Sequence, residues 1–451
     1  MAPKPPIQSA EAFHLDSALR TKTVRFHISM SFIYKILAVG LSYLLIPLTV
    51  NYLNAEQYGI WMTLLSIMSW VSFFDIGLGN GLRNKLAEAL SANDIKLAKI
   101  YVSTAYCAVT IISLVFLVIL LSVLPLTNWT KIFNTSSLSS IELSRVVFVV
   151  GFSFLLNFVL SLGSHIFFAY QEASLATMRS VLLNLFALIA IYVLIKHTSD
   201  SLLYLALCYG LAMVLSNVLL TYYLFRKHSA VVPSIRNIDL GKTREIASLG
   251  VRFFVIQIAV LIIFATDNLI ITQLLGPDQV TPYNVLFKLF SIVTVGHGVI
   301  VATLWSAYTD AYAKGDIKWI KKTLKKLNIL MIPIIIGVSI MVVFSREIIN
   351  IWIGPNIKFP YLLAVLMGLY VIIAVWNNIY AYFVNGIGKI NPQMYSAICG
   401  GLINIPLSIY FAKYLDMGIS GVILGSIISI SLFAVVIPIQ TYFILRIDKT
   451  S

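Results

Sequence analysis

The run YVSTAYCAVTIISLVFLVILLSVLP, from Tyr101 to Pro125, carries no charged side chain. Wound as an α-helix it is long enough to cross the ~30 Å hydrocarbon core of a bilayer. Comparable apolar runs recur along the whole chain. A transmembrane strand would need only about ten alternating residues, so runs this long point to helices. Across 451 residues, 59% are hydrophobic, 11% are charged and the mean hydropathy is +0.91. That is more apolar material than a soluble core could hide behind a polar surface. The fold class expected is an all-α integral membrane protein.

Hydropathy places spans near 29–50, 58–74, 101–125, 146–169, 178–196, 202–225, 251–275, 283–307, 327–345, 361–384, 394–412 and 418–444, twelve in all. With the N-terminus in the cytoplasm, 23 of the 32 Lys and Arg fall in inside segments. The outside loops keep only Lys131, Arg145, Lys196, Arg346, Lys358 and Lys413. Because the Lys and Arg content of loops sets orientation, this split supports the span count and cytoplasmic N- and C-termini. It also explains most of the net charge of +14 without a nucleic-acid partner. Residues 1–28 hold Lys4, Arg20, Lys22 and Arg25 but no apolar core or small-residue cleavage site, so the first span is expected to serve as the insertion signal. Cys107, Cys208 and Cys399 sit far apart inside apolar runs and fit neither a disulfide framework nor metal spacing.

Sliding the chain against itself by 222 residues aligns Glu56-Gln57 with Asp278-Gln279, Asp94-Ile95-Lys96 with Asp316-Ile317-Lys318, Lys99 with Lys321 and Glu88 with Asp310. A repeat of six spans starts both halves on the same side and relates them by a pseudo-two-fold axis along the membrane normal. The expected organisation is a cytoplasmic segment 1–28, an N-lobe 29–225, a linker 226–250 and a C-lobe 251–451. Pro47, Pro333, Pro406 and Pro438 lie inside spans, as proline can in membrane helices. The segment GDIKWIKKTLKKLN, Gly315–Asn328, places five lysines at helical spacing beside Trp319, as in a helix lying against anionic lipid.

No phosphate-binding loop, nucleophile elbow, HExxH or CxxC pair is present. Neither catalytic nor metal-binding residues are expected, and the protein reads as a non-enzyme. His165 and His297 lie in or near spans without a visible carboxylate partner. Charges at membrane depth are the sharper clue, since each costs on the order of 2.5–3.5 kcal/mol near the bilayer centre and so should face a wet cavity. Lys35, Arg252 and Lys288 are cationic candidates; Asp267 lies in the outer part of the seventh span, and either pairs with Lys288 or acts alone. The basic excess points to an anionic substrate. In-span amides such as Asn157, Asn184, Asn217, Asn284, Asn377, Asn378 and Asn404 suit sugar hydroxyls or bonds between helices.

The stretch Phe74-Asp75-Ile76-Gly77-Leu78-Gly79-Asn80-Gly81-Leu82-Arg83-Asn84, followed by Lys85-Leu86-Ala87-Glu88-Ala89 and Asp94, resembles the signature at the end of the second span in Wzx-type polysaccharide flippases. These belong to the multidrug/oligosaccharidyl-lipid/polysaccharide exporter superfamily. The resemblance implies a flippase that moves an undecaprenyl-pyrophosphate-linked oligosaccharide across the bacterial inner membrane by alternating access, for O-antigen and lipopolysaccharide or other surface polysaccharide synthesis. No cofactor is expected beyond an H+ or Na+ gradient, and Asp75, Asp267 and Asp310 are coupling candidates or members of structural ion pairs. Membrane lipid and other polysaccharide assembly proteins would be its partners.

Two readings of the signature stand side by side. Gly77, Gly79 and Gly81 can adopt positive φ and expose N–H groups beside Arg83 and Lys85, as in a pyrophosphate cradle. Alternatively they form a turn into a surface helix, whose Leu78, Leu82, Leu86 and Leu90 make one stripe, with Arg83 paired to Asp75. Two other functions also compete: a cation-coupled multidrug exporter, which should carry acidic groups in its cavity, and an integral-membrane glycosyltransferase, which would need a large outer loop.

Overall fold

A computed structural model describes residues 10–71, 77–247, 266–389 and 391–447, and all regular structure in them is helical. In chain order the first half holds α1 (Ala10–Tyr52), α2 (Ala55–Val71), α3 (Leu78–Ser91), α4 (Ile95–Leu126), α5 (Trp129–Ile132), α6 (Ser140–Leu160), α7 (Leu162–Ala169), α8 (Ala173–His197) and α9 (Leu202–Lys227). A short α10 (Gly241–Ala247) follows, then α11 (Asp267–Leu275), α12 (Val280–Ala313), α13 (Ile317–Val343), α14 (Ser345–Trp352), α15 (Tyr361–Gly386), α16 (Asn391–Ile409) and α17 (Ile419–Ile447). Nine stretches among the described residues are long and apolar enough to cross a membrane. With α2, α11 and α12 at the expected second, seventh and eighth spans, the arrangement agrees with twelve.

The helices form two lobes. In the first, α1 lies along α8, α8 on α9, α9 on α6 and α6 on α4; in the second, α16 packs on α17, α17 on α15, and α15 on α12 and α13. The internal repeat is visible in the backbone. Asp94 caps α4 by accepting from Leu97 N at 2.9 Å, and Asp316, 222 residues on, caps α13 by accepting from Trp319 N at 2.9 Å. The residue before each cap is left-handed, Asn93 at φ 55° and Gly315 at φ 71°. Two unrelated helix starts would not share both devices at one fixed offset.

One end of the bundle carries the Lys- and Arg-rich connections and is called the basic end here. The lobes meet away from it. Gly59 of α2 is a point of close approach: a Cβ there would lie 1.6 Å from the carbonyl oxygen of Pro277. Beside it Thr63 and Thr272 share a hydrogen bond of 2.6 Å, Thr281 donates to Ala55 O at 2.6 Å, and Asn268 Nδ2 donates to Ser66 Oγ at 2.7 Å. Asn134 adds a bond to Thr272 O at 3.0 Å, and Gln273 donates to Ile132 O. Interhelical bonds in membranes are worth about 0.6 kcal/mol each, so this seam is held by a few kcal/mol, firm but reversible. Among the described residues, no hydrogen bond joins the lobes nearer the basic end than Tyr43 and Ser66.

Candidate functional site

At the basic end the N-lobe holds a cavity of about 630 Å³, walled by α1, α7 and α8. Lys35, Ser42, Ser164, His165, Arg179 and Asn184 are among its lining side chains. A narrower recess of about 140 Å³ shares Ser42 and Asn184 with it and continues to Tyr58, Trp61, Tyr209 and Lys288. The two spaces therefore adjoin, with Lys288 bringing the C-lobe to the second. Among the described residues, their linings contain Lys35, Arg179 and Lys288 and no Asp or Glu.

Each cation is set by its neighbours. Arg179 lies nearly two turns into α8, and its Nη1 donates to Asn157 Oδ1 at 3.3 Å. The same oxygen accepts from Asn217 Nδ2 at 2.8 Å, and Asn217 in turn donates to Met213 O at 2.9 Å. A neutral amide thus aims the guanidinium without cancelling its charge. Lys288 is half-buried on α12; its carbonyl accepts from Tyr43 OH at 2.6 Å, and Tyr43 stacks on Trp352 with ring centroids 5.6 Å apart. Lys35 is exposed to the cavity from α1, whose Ala38 carbonyl accepts from Asn184 Nδ2 at 2.7 Å. No ion pair involves any of these three cations among the described residues. Arg252 and Asp75 lie outside the described residues, as does the side chain of Asp310.

Asp267 is not paired with Lys288. It is buried in the C-lobe, where its carboxylate accepts from Tyr283 OH at 2.5 Å and from Ser426 Oγ at 3.1 Å. Asn404 donates to the same Ser426 at 3.0 Å, and Thr266 donates to Asn404 Oδ1 at 3.4 Å. Asn157, Asn217, Asn404 and Asn284, which donates to Asn268 at 2.7 Å, all bond from helix to helix.

Only Gly77 of the three signature glycines has positive φ, 74°, where it opens α3. Gly79 and Gly81 lie within the helix and are buried; the expectation of positive φ there is corrected. A Cβ on Gly79 would meet the His165 ring at 2.4 Å, and one on Gly81 the Ile246 carbonyl at 1.9 Å. They are close-approach positions that seat α3 against α7 and α10. Leu78, Leu82 and Leu86 are buried, so the leucine stripe packs into the protein instead of lying on lipid. Arg83 is exposed, with its guanidinium over the ring of Phe168 at 4.9 Å. Since His165 and Phe168 line the cavity, the signature helix forms the outside of the cavity wall.

Sequence reading missed Arg179. Hydropathy starts the fifth span at 178, which puts this arginine at its very edge and counts it with the cytoplasmic loop. The helix in fact begins at Ala173, directly after left-handed Gln171 and buried Glu172. The weakly apolar opening ASLATM hides one and a half turns from a hydropathy window, whereas small residues after a turn are a usable signal of a helix start.

Two lobes of membrane-spanning helices beside a cation-lined cavity suit a membrane transporter, and solved structures agree on the fold. An inward-facing MATE-family multidrug-resistance transporter of the MOP superfamily matches with a TM-score of 0.78 at 15% identity, over 95% of this chain and 99% of that one. An outward-facing structure of such a transporter matches at 0.64 with 16% identity, over 95% and 97%. A MOP superfamily transporter of Pyrococcus furiosus, described by a binding pocket of reverse polarity, matches at 0.67 with 15% identity over the same shares.

The chain belongs to the polysaccharide biosynthesis protein family, whose pattern covers residues 27–305; the MatE pattern also matches, at 253–410. A Yersinia pseudotuberculosis protein named for O-antigen export is 22% identical, over 88% of this chain and 90% of its own length. A Salmonella typhimurium protein named an O-antigen transporter is 26% identical, over 89% and 92%.

Proposed function

We propose that this protein flips an undecaprenyl-pyrophosphate-linked oligosaccharide repeat unit for O-antigen or a related surface polysaccharide, across the bacterial inner membrane, with its basic end and both termini in the cytoplasm. The observation that carries this reading is a pair of adjoining cavities presenting Lys35, Arg179 and Lys288 with no carboxylate among the described lining residues. Its relatives named for O-antigen export support the same substrate class. An isolated charge moved into hydrocarbon costs far more than binding can return, so a pyrophosphate needs a hydrated, basic route. Arg179 offers a planar fork for two phosphate oxygens, and the lysines act as point charges at either side. Ser42 and Asn184, where the two spaces join, offer hydroxyl and amide groups to the sugars.

The lipid tail need not enter. Phe32 and Ile36, on α1 beside Lys35, are exposed, and nothing described hydrogen-bonds α1 to α12 nearer the basic end than Tyr43. The head group enters sideways through that gap while the chain stays in the bilayer. Rocking of the lobes, taken as residues 29–225 and 251–451, then opens the seam at Gly59 and closes the basic end. Arg83 at the rim and Arg252 are further candidate contacts. Asp267, in its Tyr283 and Ser426 setting, is the favoured H+ or Na+ coupling group, ahead of Asp75 and Asp310; flipping by Asp267→Asn at varied pH and sodium tests this.

The competing drug-exporter reading has fold support, but a cationic drug would meet three cations in this cavity. The test is leaflet transfer of a fluorescent undecaprenyl-pyrophosphate oligosaccharide by purified protein in liposomes. Transfer with no bond made or broken supports the flippase. Export of a cationic dye without lipid transfer, or sugar transfer between lipids, would overturn it.

A further inference from the structure

The first three turns of α13 carry Lys318, Lys321, Lys322, Lys325 and Lys326, all exposed, while Ile320, Leu324 and Leu327 are buried. No described carboxylate forms an ion pair with any of the five. Farther along the helix the lysine face becomes aliphatic without changing direction. Lys318, Lys322, Lys325, Ile329, Ile332 and Ile336 follow one another at spacings of four and three, a single stripe. Ile329, Ile332 and Ile336 are 55%, 59% and 56% exposed, so this face meets lipid chains. Four residues of helix rise about 6 Å, so Lys321 to Lys326 stand within the head-group layer above those isoleucines.

The other lobe shows what this level of the fold otherwise requires. At the 222-residue offset that the two caps fix, Lys318 and Lys321 correspond to Lys96 and Lys99, whereas Lys325 and Lys326 correspond to Ser103 and Thr104. There the chain's own linker covers the face: Ser234 N donates to Ser103 Oγ at 3.0 Å, and Asp239 N to Thr104 Oγ1 at 3.0 Å. No described segment makes such bonds to Lys325 or Lys326. The N-lobe fills this layer with protein; among the described residues, the C-lobe leaves it open and cationic, directly above a lipid-facing aliphatic stripe.

We propose that this face of α13 is a site for anionic phospholipid, with phosphodiester head groups on Lys321, Lys322, Lys325 and Lys326 and acyl chains along Ile329, Ile332 and Ile336. The inference is independent of what the cavity carries. Native mass spectrometry of the full-length protein, with phosphatidylglycerol and phosphatidylcholine offered together, tests it. The wild type retains phosphatidylglycerol preferentially. Changing the four lysines to Gln lowers that retention roughly tenfold or more, since each lysine near an anionic surface contributes about 1 kcal/mol. The four-fold Lys→Arg variant keeps it, and Lys96→Gln with Lys99→Gln leaves it unchanged. Equal retention by the four-fold Gln variant, or an equal loss from the Lys96 and Lys99 pair, overturns the proposal. So does an acidic protein that co-purifies through these lysines while lipid retention stays constant.

Discussion

Arg179 on α8 is aimed into the cavity by Asn157 on α6, its Nη1 3.3 Å from an amide oxygen that also accepts from Asn217. A carboxylate in place of Asn157 would hold the guanidinium as well but neutralise it. Asn157→Asp is therefore expected to fold and to lose most flipping, and Arg179→Ala to lose it by about 10- to 100-fold, the worth of one charge-assisted hydrogen bond. Arg179→Lys should fall between, because the charge stays and the fork is gone. Initial flipping rates at matched protein levels check this; wild-type rates in Asn157→Asp would show that the charge at this point does not matter.

The outer seam predicts a lockable state. Thr63 and Thr272 share a hydrogen bond across the lobes, so cysteines in their places, in a background with Cys107, Cys208 and Cys399 replaced by Ala, should bridge on oxidation. Transfer should then stop and return on reduction. Full cross-linking without loss of transfer would mean that the seam does not open during transport.

Glu172, between α7 and α8, ties the basic end together. It accepts from Lys227 at 2.8 Å and His228 at 3.3 Å, and His228 stacks on Tyr170 with ring centroids 3.7 Å apart. Burial pushes its carboxyl up, but the hydrogen bonds from His228 and Lys227 outweigh that and leave it below the ordinary glutamate value. A lowered folded value stabilises the fold above the unfolded pKa of about 4.3, and that stability is lost as pH falls through the folded value. Glu172→Gln should thus unfold at lower temperature at pH 7, by about 1 kcal/mol of stability, and the gap should close as pH falls through the lowered folded value. A gap that is constant with pH would assign the loss to packing.

Gly81 has no room for a methyl group, since the Ile246 carbonyl would lie 1.9 Å from its Cβ. Gly81→Ala should push α10 off α3 and cost about 1–3 kcal/mol, as overpacking does. Limited proteolysis within 229–247 should then cut faster than in the wild type, and unchanged cleavage would contradict the contact.

Much of the fold was legible because bilayer thickness and loop charge act on long stretches at once. Spans, lobes and the 222-residue repeat all follow from such additive signals. The site was legible only in part. Lys35 and Lys288 stood out as charges in apolar runs, but Arg179 hid behind a polar helix start, and Asp267 suggested a partner, Lys288, that tertiary packing replaces with Tyr283 and Ser426. The signature glycines invited a phosphate cradle because glycine permits both positive φ and close packing; only coordinates separate the two, and Gly79 and Gly81 serve packing.

Leaflet transfer of a fluorescent undecaprenyl-pyrophosphate oligosaccharide in liposomes, comparing the wild type with a Lys35→Gln, Arg179→Gln, Lys288→Gln triple variant that folds normally, bears most directly on the basic cavity. The expected result is transfer by the wild type and none above protein-free liposomes by the triple variant. Equal transfer by both would show that the three cations do not carry the head group.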